Sequence, residues 1–124
     1  MISLNSPIKN EIILKSKSNV ELFEEPPEVV VVGILIELET SAIVHIGAKP
    51  VFADVLKDQN IDPIKIKKAI TKNTSAIMPV HLTGRMAKMD EILEIGNKNN
   101  IPIIEDAAQS IGSKYINKPS GSFG

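Results

Sequence analysis

The chain has 124 residues, with 43% hydrophobic and 23% charged side chains and a formal net charge of −1. That is enough apolar material for one buried core, and the near-zero charge excludes a dedicated nucleic-acid binder, whose phosphate contacts need a basic excess. The absence of cysteine excludes a disulfide framework, a thiolate metal site and a thiol nucleophile, and 3% aromatic residues leave little for base or sugar stacking.

Residues 1–28 are weakly patterned and end in Glu24-Glu25-Pro26-Pro27. Consecutive prolines remove donors and stiffen the chain, so this stretch reads as a weakly structured N-terminal segment or junction. It lacks the apolar region of a secretory signal. The longest apolar run, 29–38, is far short of the ~20 residues that span a bilayer. The expectation is a soluble, cytoplasmic protein with no membrane partner.

The second region, 29–124, is regular. The β-branched run 29–38 predicts a strand buried from both sides. Residues 40–46 predict a short helix closed by Gly47. Residues 50–55 predict a strand. Asp62 then caps a helix over 64–70, with Pro63 at its first turn. Residues 75–80 predict the next strand. A helix follows over 86–97, where Met86, Met89, Leu93 and Gly96 share a face. Asn99-Asn100 is a turn, 101–105 a further strand, and 114–124 a hairpin with a short return. Alternating strands and helices predict an α/β fold, a three-layer sandwich with a mostly parallel sheet. In such sheets ligands bind beyond the carboxyl ends of the strands. The site is therefore sought after Val55, Val80 and Glu105.

Asp106 falls at such an end, followed by two alanines and Gln109. A carboxylate there can pair with a protonated heterocyclic nitrogen, or cap a helical turn. His81 also follows a strand and reads either as an active-site edge residue or as a loop-fixing one. His45, on an apolar helical stretch, reads as a packing residue. Lys65, Lys67, Lys68 and Lys72 read as a solvated helix face. No metal site is expected, because two distant histidines without cysteines match no ligand spacing. No GxGxxG, GxxxxGK[ST] or G-x-S-x-G motif occurs.

Three phrases occur in order: GAKPVFADV, then PVHLTGRMAKMDEI, then IPIIEDAAQSIGSKYINKPSGSFG. Together, over 41–124, they resemble the DegT/DnrJ-type sugar aminotransferases, pyridoxal-phosphate enzymes of the aspartate aminotransferase fold (fold type I). The resemblance implies part of that fold's large, cofactor-binding domain. It implies pyridoxal phosphate as cofactor, a nucleotide-linked keto-sugar and an amino acid such as glutamate as substrates, and a homodimer. It matches Asp106 to the partner of the cofactor's pyridine nitrogen, Gln109 to a contact on the phenolic-oxygen side, and His81 to the edge of the active site. Gly121-Ser122-Phe123-Gly124 matches the segment that leads towards the catalytic lysine.

The match also has departures. The Schiff-base lysine of the family falls beyond the GSFG segment, so no residue of this sequence takes the catalytic role. The Ser-Gly-Thr phosphate-binding run is absent, and an internal stretch before Glu28 reads as deleted. Ile36 takes the position of an aromatic residue that stacks on the cofactor ring, and it offers no π-face. The expectation is a shortened piece of an aminotransferase, inactive alone. The alternative is a non-catalytic remnant, or a partner subunit of the same fold.

Overall fold

A computed structural model describes residues 25–32 and 36–124. The expected junction over 1–28 lies almost wholly outside the described residues. Strand β1 (Glu28–Val32) pairs in parallel with β2 (Lys49–Ala53) on one side and β3 (Thr74–Met78) on the other. The order β2-β1-β3 places the tetravaline strand in the middle. Val30 stands level with Val51 and Ile77.

The expected strand over 101–105 runs beside β3 but forms only isolated parallel bridges, Ile77 with Ile103 and Val80 with Asp106. The reason is Pro79. Ile77 both donates to Pro102 O (3.0 Å) and accepts from Ile104 N–H (2.9 Å), whereas Pro79 accepts from Asp106 N–H (3.0 Å) and has no N–H to give back. The ladder resumes at His81, whose N–H donates to Asp106 O at 3.1 Å.

Helices cover both faces of the sheet. Helix α1 (Ile36–His45) packs through Ile43 against Val29, Val31 and Ala76. Helices α2 (Pro63–Ala69) and α3 (Met89–Asn99) pack on the opposite face, where Ile66, Met89, Ile92 and Ile95 meet Val30, Ala53 and Ile77. Side chains alternate along each strand, so Val29 and Val31 serve one layer and Val30 the other. The α/β three-layer class is as expected.

One element differs. The run over 29–38 is not one strand, because β1 stops at Val32 and α1 has begun by Ile36. Glycine divides the run, and after it Ile36 and Ile43 fall at helical spacing rather than in alternation. Ile36, expected at the ring-stacking position, is the first residue of α1.

Helix ends follow their sequence signals. Asp62 accepts from Ile64 N–H at 2.8 Å, and Pro63 opens α2. Helix α1 closes with Gly47 at φ +80°, its N–H bonded to Val44 O and that of Ala48 to Ile43 O, the paired bonds of a Schellman end. Helix α3 ends the same way on Asn100 at φ 54°, with Ile101 N–H on Gly96 O at 2.8 Å. The tail forms a hairpin of β4 (Lys114–Tyr115) and β5 (Lys118–Pro119). Its two turn residues, Ile116 and Asn117, both have positive φ, the geometry that matches strand twist. No helix of the described residues is long and apolar enough to cross a membrane.

Candidate functional site

The site is built where β3 and its neighbour end. Asp106 is half-buried, and its backbone is fixed on both sides by Pro79 and His81. Its Oδ1 accepts from Ala108 N–H at 3.0 Å, so it does cap the turn that follows. That use takes one oxygen only. Oδ2 has no hydrogen-bond partner among the described residues, and Ala107 and Ala108 beside it carry only methyl groups. A free carboxylate oxygen with small neighbours fits a protonated ring nitrogen. The capping and binding readings are therefore compatible.

Gln109 is exposed, and its Oε1 accepts from Thr83 N–H at 3.0 Å. This fixes the amide with its NH₂ group as the outward donor, which suits an oxygen acceptor such as a phenolate. Thr83 reaches that position in a left-handed conformation, φ 54° and ψ 34°. For a β-branched residue this conformation is strained, and strain of this kind collects at functional sites. The short 3₁₀ turn Leu82–Gly84 that carries it is pinned by buried Asn60. Asn60 Oδ1 accepts from Leu82 N–H (3.1 Å) and its Nδ2 donates to Arg85 O (3.2 Å).

His81, read from the sequence either as an active-site edge residue or as a loop-fixing one, has the partners of the second reading. Its side chain is 0% exposed. Nδ1 accepts from Ala87 N–H at 3.1 Å, which fixes the tautomer with the proton on Nε2, and Nε2 lies 2.8 Å from Glu105 Oε1. Both ring nitrogens are engaged within the protein, Nδ1 by Ala87 and Nε2 by Glu105. The expectation for His45 is corrected: it is exposed in the last turn of α1, where a polar side chain near the helix C-terminus needs no burial.

Glu105 was not singled out by the sequence. Its side chain is 3% exposed. Oε1 accepts from His81 and from Gly121 N–H (2.7 Å), and Oε2 accepts from Phe123 N–H (2.8 Å) and Gly124 N–H (3.3 Å). Burial pushes its pKa upward, but the N–H groups of Phe123 and Gly121 and the His81 ring outweigh this and hold it below the ordinary 4.5. Strand parity was the available signal. If Asp106 faces the site, Glu105 faces the opposite layer and needs donors there. Among the described residues no group of three or more His, Cys, Asp or Glu side chains is placed to hold a metal ion.

The family model described as DegT/DnrJ/EryC1/StrS aminotransferase matches residues 28–124. A "Pleiotropic regulatory protein" of Geobacillus stearothermophilus is 43% identical over 98 residues, which are 78% of this chain and 26% of that protein. The "GDP-perosamine synthase" of Caulobacter vibrioides is 41% identical over 98 residues, again 78% of this chain and 26% of that protein. Among solved structures, E. coli GDP-4-keto-6-deoxy-D-mannose-3-dehydratase with bound hydrated PLP superposes with a TM-score of 0.76 at 27% identity, covering 94% of this chain and 31% of that one. The chain thus spans about a quarter of the length of the curated relatives it matches. Its α/β/α layers are those of fold type I.

Proposed function

Since the chain belongs to the DegT/DnrJ/EryC1/StrS aminotransferase family, whose members are pyridoxal-phosphate enzymes acting on nucleotide sugars, we propose that it forms the ring-nitrogen wall of such an aminotransferase site. The observation that carries this reading is Oδ2 of Asp106, which has no hydrogen-bond partner among the described residues and lies at the end of the sheet. Asp106 holds a proton on the pyridine nitrogen, because a carboxylate favours the charged form of a neighbouring base. When bound, the protonated ring of pyridoxal phosphate withdraws electrons from the carbon that loses its proton. Gln109, oriented by Thr83, would donate to the oxygen on the ring. Ala107 and Ala108 leave the ring room to approach the backbone.

The amino donor on this reading is an amino acid such as glutamate, and the acceptor a keto-sugar nucleotide. No residue of 1–124 matches the family's imine-forming lysine or its phosphate-binding run, and on this reading these residues bind without turnover. The complete site is that of a cytoplasmic homodimer. A second reading, a non-catalytic member of the same fold, is favoured by one observation: a 43% identical relative is described as a regulatory protein.

Titration of the ¹⁵N-labelled chain with pyridoxal phosphate tests the proposal. Amide resonances of Asp106, Ala108, Gln109 and Thr83 are expected to move together, and Asp106→Asn to abolish the response. Movement confined to lysine-bearing segments, or an unchanged response in Asp106→Asn, contradicts it. Movement at Asp106 with no amino transfer, even after a chain bearing the lysine is supplied, favours the non-catalytic reading.

A further inference from the structure

The 121–124 turn ends the described chain against the strand that carries Asp106, and its fit there is close. Gly124 lies so near that a Cβ would stand 2.8 Å from Glu105 N and 3.1 Å from Ile103 O. Gly121, at φ +80°, places its own Cβ position 3.7 Å from the Ala107 methyl. Ser120 Oγ donates to Ser110 O at 2.6 Å, and Ser120 N–H to Ser113 O at 2.9 Å. Residues 120–124 therefore contact Ile103, Glu105, Ala107, Ser110 and Ser113, the turn itself meeting the first three. Its backbone donors would be orphaned without an acceptor, and one side chain supplies it. Glu105 takes the N–H groups of Gly121, Phe123 and Gly124 on a single buried carboxylate.

We propose that Glu105 is a positioning residue, its carboxylate oriented by His81 so that it holds the 121–124 turn against the strand end that carries Asp106. The inference rests on the reading of Asp106 as the ring-nitrogen partner. Three links make the chain of cause. Ala87 N–H fixes the tautomer of His81, and His81 Nε2–H then orients Oε1 of Glu105. The two carboxylate oxygens collect the amides of the turn. Because Glu105 and Asp106 are adjacent on an extended segment, their side chains point to opposite layers. Glu105 thus never touches a ring on Asp106, and acts on it only by fixing Ala107 and the backbone between. The glycines of the GSFG segment are explained by the same contact: side chains at 121 and 124 would strain the turn or collide with the strand.

Amide hydrogen exchange of the 124-residue chain, without cofactor, tests this directly. Glu105→Gln turns an NH₂ group towards N–H donors, so exchange at Gly121 and Phe123 is expected to speed up roughly 10- to 100-fold, the loss of hydrogen bonds to a charged acceptor. Exchange at Val30 and Ile77 stays unchanged. In the unsubstituted chain, the Gly121 and Phe123 proton resonances share one titration step below pH 4.5, the ordinary value for the group. That step is absent in Glu105→Gln. The apparent affinity for pyridoxal phosphate, read at Ala108, falls about tenfold in the same variant. Unaltered exchange at Gly121 and Phe123, no shared low-pH step, or undiminished affinity overturns the proposal. If Glu105→Gln does not fold, the titration of the unsubstituted chain decides. If the unsubstituted chain gives no response to pyridoxal phosphate, the reading of Asp106 fails while exchange and titration still decide the role of Glu105.

Discussion

Gly96 sits in the third turn of α3, and its backbone approaches the neighbouring strand segment closely. A methyl group at 96 would stand 2.8 Å from Ile101 O and 2.9 Å from the Ile103 side chain. Ile101 is held at this distance by its own N–H, which donates to Gly96 O at 2.8 Å. Gly96→Ala, normally favourable in a helix, is therefore expected to destabilise the chain by about 1–3 kcal/mol, the range for overpacking. Thermal unfolding of the variant and the parent checks this; an equal or higher midpoint contradicts the close approach. The sequence placed Gly96 on the apolar face of the helix, and its buried position agrees. The histidines were harder to read. A histidine after a strand looks alike from sequence whether it faces a ligand or a buried carboxylate. Only the partners at both ring nitrogens of His81 distinguish them.

At the scale of elements, the hairpin is tied to α3 by one side-chain bond. Tyr115 OH donates to Asp90 Oδ1 at 2.6 Å. The carboxylate favours the protonated phenol, which raises Tyr115 to about 12 from the ordinary 10.0, and the same bond lowers Asp90 below 3.8. The signs of the two shifts differ. The Tyr115 contribution is complete below pH 10.0 and is lost as pH rises through about 12. The Asp90 contribution is complete above 3.8 and is lost as pH falls through its lowered value. Absorbance titration of the single tyrosine is expected to give a midpoint near 12, moving towards 10.0 in Asp90→Asn. A midpoint of 10.0 in the parent chain contradicts the bond. Helix and strand order was legible because caps and β-branched runs act locally. Asp62-Pro63, Gly47 and Asn100 each mark an end that a few neighbouring atoms determine. The boundary at 33–36 was not legible, because a continuous apolar run carries no period until the helix face is known. The sparse bridging of 101–105 was hidden in Pro79, on a different strand.

For the whole molecule, the sheet and its two helical layers bring Asp106, Gln109 and Thr83 to one end. The same layers leave large apolar side chains in solvent, among them Phe52 at 48% and Ile111 at 91% exposed. Phe52 lies level with Val31 on the α1 face of β2, an edge strand of the described sheet. Composition alone could not indicate this, since exposure depends on which faces the layers cover. The carboxyl ends of the strands were legible as the place to look for a site, because a parallel sheet flanked by helices leaves that end open to a ligand. The supporting shell of Asn60, Thr83 and Glu105 was not, because each acts through backbone groups brought close only by folding.

On the proposed reading, Asp106 holds a proton on the pyridine nitrogen of pyridoxal phosphate. Ring-¹⁵N-labelled pyridoxal phosphate, followed by NMR across pH with excess chain, measures that proton itself. The ring nitrogen is expected to remain protonated to higher pH with the unsubstituted chain than with Asp106→Asn or free in solution. Titration at the same pH in all three samples contradicts the account.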